Sequence, residues 1–450
     1  MEITYIALFV AWAVLAYNYP RFFTIALSAL FPLYLLKFNF YGIPFTIVEL
    51  FIYATTVVFG IRFYKDIFKW AGNFFDKGVW RRIDVWVLLF SLFALIAAFL
   101  TSAVGKDHAF GILKSWIFAP ILYFFIVRSL MKNLSDARRV LDAYTFSAAV
   151  LSMWAIYQYL HGFLIDTRAT GPFASANYLA FFLAPAFCYS AISAWQNIKT
   201  IELPWWKKVF IKLFRKEVEQ TNLALFFIYL VFTLVTGFAL VVSNSYGAFL
   251  GITAALIFYG VYHYFFSPWK QSLDSSIKKI SILVVILITI FGIIVPKYDR
   301  WKFNTVMDFK GTTSSAIRVE VWEVGSKLLL KNPVFGIGLG GFQNEYARRA
   351  REFLGRDPVR SDNLHSHNLL METWLNLGIF GFAIFLLLLF KLFALLKSKV
   401  NDVRKRFIVL LCAMMLIIFV HGLFDVTFWK NDLALQFWMI MGVSFGLAKK

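Results

Sequence analysis

Apolar stretches long enough to span a membrane alternate with short polar breaks along most of this chain of 450 residues. Each stretch could cross a hydrocarbon core of roughly 30 Å as a helix, which satisfies its own backbone hydrogen bonds in lipid. The stretches lie near residues 3–19, 22–38, 46–64, 84–103, 110–129, 139–161, 176–196, 222–243, 246–266, 278–296, 369–396, 407–424 and 433–448. The first two are short and could form one hairpin. The pattern therefore predicts an all-α, polytopic membrane protein with twelve or thirteen transmembrane helices.

One polar segment, from Lys297 to Ser366, interrupts this apolar pattern. It separates an N-terminal transmembrane bundle (1–296) from C-terminal transmembrane helices (367–450), with the polar segment (297–366) between them. Apolar periodicity predicts a helix over 316–330, and a short basic helix is expected over 344–353. A membrane protein that keeps one large hydrophilic segment is expected to carry its chemistry there.

Residues 332–342, between these two helices, contain four glycines. No strand–helix–strand unit surrounds them and no Gly-Lys-Ser/Thr sequence follows, so nucleotide binding is not expected. The glycines instead predict a tight backbone turn against the membrane surface. The helix before them is expected to begin at Ser314 or Ser315 as its N-cap.

The basic residues of the short loops indicate how the chain is oriented. Four loops are rich in lysine and arginine: Lys65–Arg82, Lys132–Arg139, Lys199–Glu219 and Lys397–Arg406. Loops of this kind stay on the cytoplasmic side, and they alternate here with loops that are poor in basic residues. The polar segment consequently lies outside the cytoplasmic membrane. Residues 204–219 have an apolar and a basic face and predict a helix that lies on anionic lipid.

Composition excludes several other classes. The net charge of +20 is explained by basic cytoplasmic loops rather than by binding of nucleic acid. Cys188 and Cys412 both lie inside apolar stretches, so neither a disulfide framework nor a metal–thiolate site is expected. Residues 3–19 follow no basic region and are expected to be a first anchor rather than a cleaved signal.

The polar segment and the residues after it resemble the signature region of the O-antigen ligase family. The matching features are Arg318 followed by Trp322, the glycine-rich stretch 332–342, and His367-Asn-Leu-Leu-Met-Glu372 before a Gly-x-x-Gly sequence. Upstream, the loop from Arg168 to Asn177 and the turn from Ser243 to Tyr246 resemble two further loops of the family. The resemblance implies an arginine where this chain has Tyr246; if that arginine binds the donor diphosphate, another cation must replace it here.

The resemblance implies an integral-membrane glycosyltransferase of the GT-C type that acts on the outer face of the cytoplasmic membrane. Its donor would be a glycan on a polyprenyl (undecaprenyl) diphosphate, and its acceptor a hydroxyl such as that of lipid A-core. Transfer would invert the anomeric carbon and use neither a metal nor another cofactor. The protein is expected to be a monomer, and membrane lipids are also expected partners. The resemblance does not distinguish a ligase from a polysaccharide polymerase or a protein O-oligosaccharyltransferase.

The residues suit this chemistry, which needs a base for the acceptor hydroxyl and cations for the leaving diphosphate. His367 is predicted as the base, because imidazole accepts a proton near neutral pH and the start of a helix favours its neutral form. Arg318 is predicted to bind the diphosphate, against the alternative of an ion pair with Glu320 or Glu323. Asp425 is expected to orient the histidine or a cation. The other candidate substrate-binding residues are Lys37, Arg168, Asn177, Tyr246, Arg300, His365 and Asn368.

Two other functions are open to this sequence. Metal-dependent transfer would use the histidines with Glu320 and Glu323 as ligands, although the chain contains no Asp-x-Asp pair. A transporter of lipid-linked glycans would place ionisable residues near the bilayer midplane and often shows internal repeats. The apolar stretches here are nearly uncharged at mid-length, and the polar groups collect at one exterior edge, which favours catalysis at the surface.

Overall fold

The computed structural model describes residues 2–72, 82–199, 217–266, 308 and 313–448. The helices of the first half are Glu2–Asn18 (α1), Pro20–Ala29 (α2), Ile47–Arg62 (α3), Tyr64–Gly72 (α4), Ile83–Leu100 (α5), Lys106–Ile112 (α6), Ala119–Leu130 (α7), Leu134–Leu160 (α8) and Ala176–Lys199 (α9). Those of the second half are Glu217–Ser243 (α10), Tyr246–Phe266 (α11), Ser314–Lys331 (α12), Phe342–Leu354 (α13), Leu369–Ala394 (α14), Asp402–Gly422 (α15) and Asn431–Leu447 (α16). A π-helical segment, Leu113–Phe118, joins α6 to α7.

The chain is an all-α, polytopic membrane protein, as the sequence predicts. Within the described residues, seven helical stretches are long and apolar enough to cross a membrane. They are Ile83–Leu100, Lys106–Leu130, Leu134–Leu160, Ala176–Asn197, Leu223–Ser243, Tyr246–Phe266 and Leu369–Lys397. The total of twelve or thirteen spans stays a prediction, because the stretch 278–296 lies outside the described residues. The helix predicted on the lipid surface also stays a prediction, because residues 204–216 lie outside them too.

The predicted span 22–38 is wrong. Helix α2 ends at Ala29, a 3₁₀ turn follows over Phe31–Leu35, and the chain then forms an antiparallel hairpin of strands Lys37–Phe40 (β1) and Ile43–Thr46 (β2). Both central residues of the hairpin turn, Tyr41 and Gly42, have positive φ (48° and 80°), as a type I′ turn requires. Local turn chemistry thus overrides the apolar character of this stretch.

The transmembrane helices pack around one core that includes the largest fully buried side chains Trp438, Tyr123, Tyr144 and Tyr189. Helix α9 packs on α10 and α15, α16 packs on α7, and α14 packs on α5. This arrangement brings the start of α9, the start of α14 and the loop between α15 and α16 to one end of the bundle.

Two predicted helices of the polar segment are confirmed as α12 and α13. The N-cap of α12 is Thr313 rather than Ser314 or Ser315, since Thr313 Oγ1 accepts a hydrogen bond from the Ala316 amide at 3.1 Å. The basic residues of α13 lie in ion pairs: Arg348 and Arg349 contact Glu345, and Arg351 contacts Asp357.

The glycine-rich stretch forms the expected tight turn, but it packs on α14. The Ile337 amide donates to Leu375 O at 2.7 Å, and the Ile379 amide donates to Val334 O at 3.1 Å. Gly378 interrupts α14 with a φ of 69°, and a side chain there would collide with the Val334 carbonyl oxygen 2.0 Å away. The contact fixes the polar segment to the helix that follows the two histidines.

Candidate functional site

The chain around His367 is held on both sides by the first turn of α14. Asn368 is the N-cap of this helix, since its Oδ1 accepts from the Met371 amide at 3.0 Å, and its Nδ2 donates to Leu423 O at 3.0 Å. The Ser366 amide donates to Glu372 Oε2 at 2.7 Å. Between these anchors His367 has a φ of 50°, a conformation that is uncommon for a residue with a side chain. Asn368 therefore caps α14, and its two hydrogen bonds and that of Ser366 order the backbone beside His367.

His367 faces Asp425, which follows α15. The His367 Nδ1 and Asp425 Oδ1 atoms are 3.3 Å apart. The Asp425 side chain is buried, whereas a quarter (25%) of the His367 side chain is exposed. With a proton on Nδ1, the imidazole donates to Asp425 and presents its other nitrogen, Nε2, for proton transfer. This is the arrangement that orients a histidine base by a carboxylate.

Asp425 is fixed by two further donors. Its Oδ2 accepts from Asn177 Nδ2 at 2.9 Å, and its Oδ1 also accepts from the Val426 amide at 2.9 Å. Burial would raise the pKa of Asp425, but the hydrogen bond from His367 and the nearby His365 and Arg318 outweigh it and hold that pKa below its usual value. Asp425 is consequently a carboxylate at any physiological pH.

Arg168 supports this network from behind Asn177. Arg168 Nη2 donates to Asn177 Oδ1 at 2.7 Å, and its Nε donates to Ser243 O at 2.7 Å. The Asn177 amide is thus oriented so that its Nδ2 must point to Asp425. Ser245 Oγ also reaches Asn177 Oδ1, at 3.3 Å. The two upstream loops that carry Arg168, Asn177 and Ser245 therefore meet the histidine loop through one chain of hydrogen bonds.

Arg318 reaches the same place from α12. Its Nε donates to Phe424 O at 3.0 Å, and its Nη1 donates to Ser314 Oγ at 2.6 Å. Its charge acts on Asp425 and on His365. The expected alternative, an ion pair with Glu320 or Glu323, is not formed: Glu320 binds Arg356, and Glu323 binds Lys327. Arg318 thus places a permanent cation beside the His367–Asp425 pair.

His365 lies next to His367, with the two ring centres 4.4 Å apart. Its Nε2 is 3.4 Å from the Tyr178 hydroxyl, and its buried Nδ1, 4.0 Å from Asp425 Oδ1, has no hydrogen-bond partner among the described residues. Burial, together with the neighbouring His367 and Arg318, lowers the pKa of His365 to about 4 although Asp425 opposes the shift. His365 is therefore neutral at physiological pH and contributes shape and polarity rather than charge.

The remaining predicted site residues lie further from His367 or outside the described residues. Tyr246 begins α11, one residue after Ser245, and interacts electrostatically with Arg168. Lys37 begins strand β1 and is exposed. Arg300 belongs to the part of the chain that the structure does not describe.

The metal-ligand set expected from the sequence does not assemble. Glu320 is buried against Tyr346, whose hydroxyl donates to its Oε1 at 2.7 Å, and no histidine is among its partners. A different group in the described part of the chain, His365, His367 and Asp425, offers three ligand atoms within 4.8 Å of one another. Two imidazoles and a carboxylate are a donor set that zinc or a similar ion accepts. Metal independence thus stays a prediction.

Several residues near the site carry no signal in the sequence. Tyr178 lies one residue after the loop from Arg168 to Asn177, and His421, in the last turn of α15, places its Nε2 3.5 Å from Ser245 Oγ. Glu372 is the last residue of the sequence His367–Glu372 that resembles the family, and its carboxylate accepts a hydrogen bond from the Ser366 amide. Lys430, in a loop poor in basic residues, contacts Tyr178.

Comparison with protein families gives a match between residues 230–386 and the family model described as O-antigen ligase. The match supports the O-antigen ligase family, as the motifs indicate. The matched region includes Arg318, His365 and His367, whereas Arg168, Asn177 and Asp425 lie outside it. No curated protein matches the chain.

Proposed function

From the match to the O-antigen ligase family, we propose that this protein transfers a glycan from a polyprenyl diphosphate to an acceptor hydroxyl, such as one on lipid A-core, at the exterior face of the cytoplasmic membrane. The family supports glycan transfer of the ligase or polymerase type. The observation that carries the mechanism is the His367–Asp425 pair with Arg318 beside it, at the start of the long apolar helix α14.

His367 is the base of the proposed reaction. Its Nδ1–H donates to Asp425, so Nε2 accepts the proton of the acceptor hydroxyl as the oxygen attacks the anomeric carbon. A carbon–oxygen bond to the acceptor forms while the bond from the anomeric carbon to the diphosphate breaks. The imidazolium that results is stabilised by the Asp425 carboxylate until the proton leaves to solvent.

Arg318 stabilises the leaving diphosphate. Its guanidinium is permanently charged and can bind two phosphate oxygens at once, as negative charge develops on them. Two of its donors are held by Phe424 O and Ser314, which fixes the direction of the group and leaves Nη2 for the substrate. Attack from the histidine side and departure on the opposite side would invert the anomeric carbon.

Proteoliposomes that contain a lipid-linked glycan test transfer against transport. The proposed enzyme should release polyprenyl diphosphate and yield a glycosylated acceptor, and the His367→Ala variant should form neither product. A transporter would move intact lipid-linked glycan between the leaflets without cleaving it, and that result would overturn the proposal.

A further inference from the structure

A second cationic position lies over the ring of Tyr178, the tyrosine whose hydroxyl faces His365. Lys430 is the residue before α16, and its side chain is only partly buried, so solvent or a ligand can reach it. The Lys430 Nζ atom lies 3.6 Å from the centre of the Tyr178 ring. The rings of Phe173 and Tyr34 are 5.0 Å and 5.1 Å away, which places the ammonium among three aromatic faces.

Aromatic faces stabilise a cation, but they accept no strong hydrogen bond from it. Among the described residues, no oxygen or nitrogen accepts a hydrogen bond from Lys430 Nζ, and no carboxylate lies within ion-pair distance of it. An ammonium has three donors, so the acceptors for them must come from water or from a ligand. The environment therefore suits a group that supplies several anionic oxygens from outside the chain.

The charges around Lys430 agree with this interpretation. Burial lowers the pKa of Lys430, the neighbouring Asp432 raises it, and the charge of Lys37 lowers it. Lys37, at the start of β1, is exposed and adds a second positive charge to the surroundings of Lys430. Asp432 is fully buried, so it faces the protein interior and not an incoming anion.

Tyr178 joins this position to the proposed reaction centre. Its ring lies under Lys430, and its hydroxyl is 3.4 Å from His365 Nε2. A ligand that contacts Lys430 is consequently joined to His365 through the single side chain of Tyr178.

We propose that Lys430, with Lys37, forms an oxyanion subsite that binds a phosphate group of the lipid-linked diphosphate donor. The inference rests on the proposed function for the identity of the ligand.

The test measures binding, not transfer. Protein that carries His367→Ala is reconstituted in lipid nanodiscs, and its affinity for polyprenyl diphosphate and for uncharged polyprenol is measured by fluorescence titration. Lys430→Met in this background removes the charge and keeps an apolar side chain for the aromatic rings. We expect it to weaken polyprenyl diphosphate binding roughly 10- to 100-fold, the effect of losing hydrogen bonds to a charged group, and to leave polyprenol binding unchanged.

Two further variants complete the test. Lys430→Arg should retain most of the affinity, and Lys327→Met, which removes an exposed lysine paired with Glu323, should retain all of it. Equal affinity of the parent and Lys430→Met for polyprenyl diphosphate would overturn the subsite. Parallel loss of both ligands would also overturn it, because it would show that Lys430 only supports the fold. The protein that retains His367 is assayed for transfer in parallel. If it transfers no glycan while diphosphate binding still depends on Lys430, the proposed function is refuted and the subsite stands.

Discussion

Replacement of Asp425 by asparagine should disable the base while changing the site very little in shape. The carboxylate accepts from His367 and Val426 on Oδ1 and from Asn177 on Oδ2. An asparagine has one oxygen, so its amide nitrogen must face either His367 Nδ1 or Asn177 Nδ2. Asn177 cannot turn over to help, because Arg168 and Ser245 both donate to its oxygen. In either orientation, the N–H groups of the new amide face another N–H donor, and one hydrogen bond is lost.

The size of the effect follows from these contacts. Loss of a hydrogen bond to a charged group is worth about 1.5–3 kcal/mol, which corresponds to roughly 10- to 150-fold in rate. If the imidazole also changes to the tautomer with its proton on Nε2, it can no longer accept the hydroxyl proton, and losses of about 10⁴-fold are known for such a change. We therefore expect kcat to fall about 10²- to 10⁴-fold with little change in KM for the donor.

Initial rates of glycan transfer by purified protein measure this prediction. Asp362→Asn is the control with the same chemical change, since Asp362 is exposed in the polar segment and pairs only with Arg360 among the described residues. It should retain activity within about twofold, as surface ion pairs contribute little. A kcat of Asp425→Asn within threefold of the parent, in protein that loses activity on His367→Ala, would refute the role of Asp425 in orienting the base.

Four further predictions follow from the same geometry. His367→Ala should lower transfer about 10²- to 10⁴-fold while the protein stays membrane-inserted, and His365→Ala should do much less; the opposite ranking in a rate assay would move the base to His365. Transfer should survive excess EDTA; activity that is lost in EDTA and restored by Zn²⁺ or Mg²⁺ would make His365, His367 and Asp425 metal ligands. Arg318→Lys should lower transfer, because an ammonium does not reproduce the bidentate hydrogen bonds of a guanidinium. In a background without Cys188 and Cys412, Gln343→Cys should react with an impermeant thiol reagent in intact cells and Lys399→Cys should not, and equal labelling would contradict the orientation.

The transmembrane helices were predictable because a long apolar run has few alternatives in lipid. Helices α5, α8, α9, α11 and α14 begin or end within a few residues of the predicted spans. The prediction of a span over 22–38 is wrong because two local features of the sequence, one within the stretch and one directly after it, favour turns over a continuous helix. Pro32 lies in the 3₁₀ turn that follows α2, and Tyr41-Gly42 can adopt the positive φ angles of a hairpin turn.

The residue types of the site were predictable, but their partners were not. His367, Asp425 and Arg318 are the groups that the chemistry requires, and each lies beside an apolar stretch. Their contacts join positions 58 and 106 residues apart, which only the packing of α12, α14 and α15 determines. Arg318 illustrates the limit: the sequence predicts a cation that binds the diphosphate and leaves an ion pair with Glu320 or Glu323 as the alternative, but nothing in it indicates the contact with Phe424 O.

Lys430 shows a different limit of sequence reasoning. A single lysine in a short exterior loop has no distinctive pattern, and its aromatic partners come from three separate parts of the chain, at Tyr34, Phe173 and Tyr178. Only the fold shows that these rings surround one ammonium.

The most direct test of the central claim is a product analysis with purified protein, a lipid-linked glycan of defined anomeric configuration and an acceptor. Mass spectrometry would count released polyprenyl diphosphate against new glycosidic bonds, and NMR would assign the anomer of the product. We predict one polyprenyl diphosphate per bond formed, an inverted anomeric carbon, and neither product from His367→Ala. A retained configuration, or transfer by His367→Ala at the parent rate, would contradict direct attack by an acceptor activated by His367.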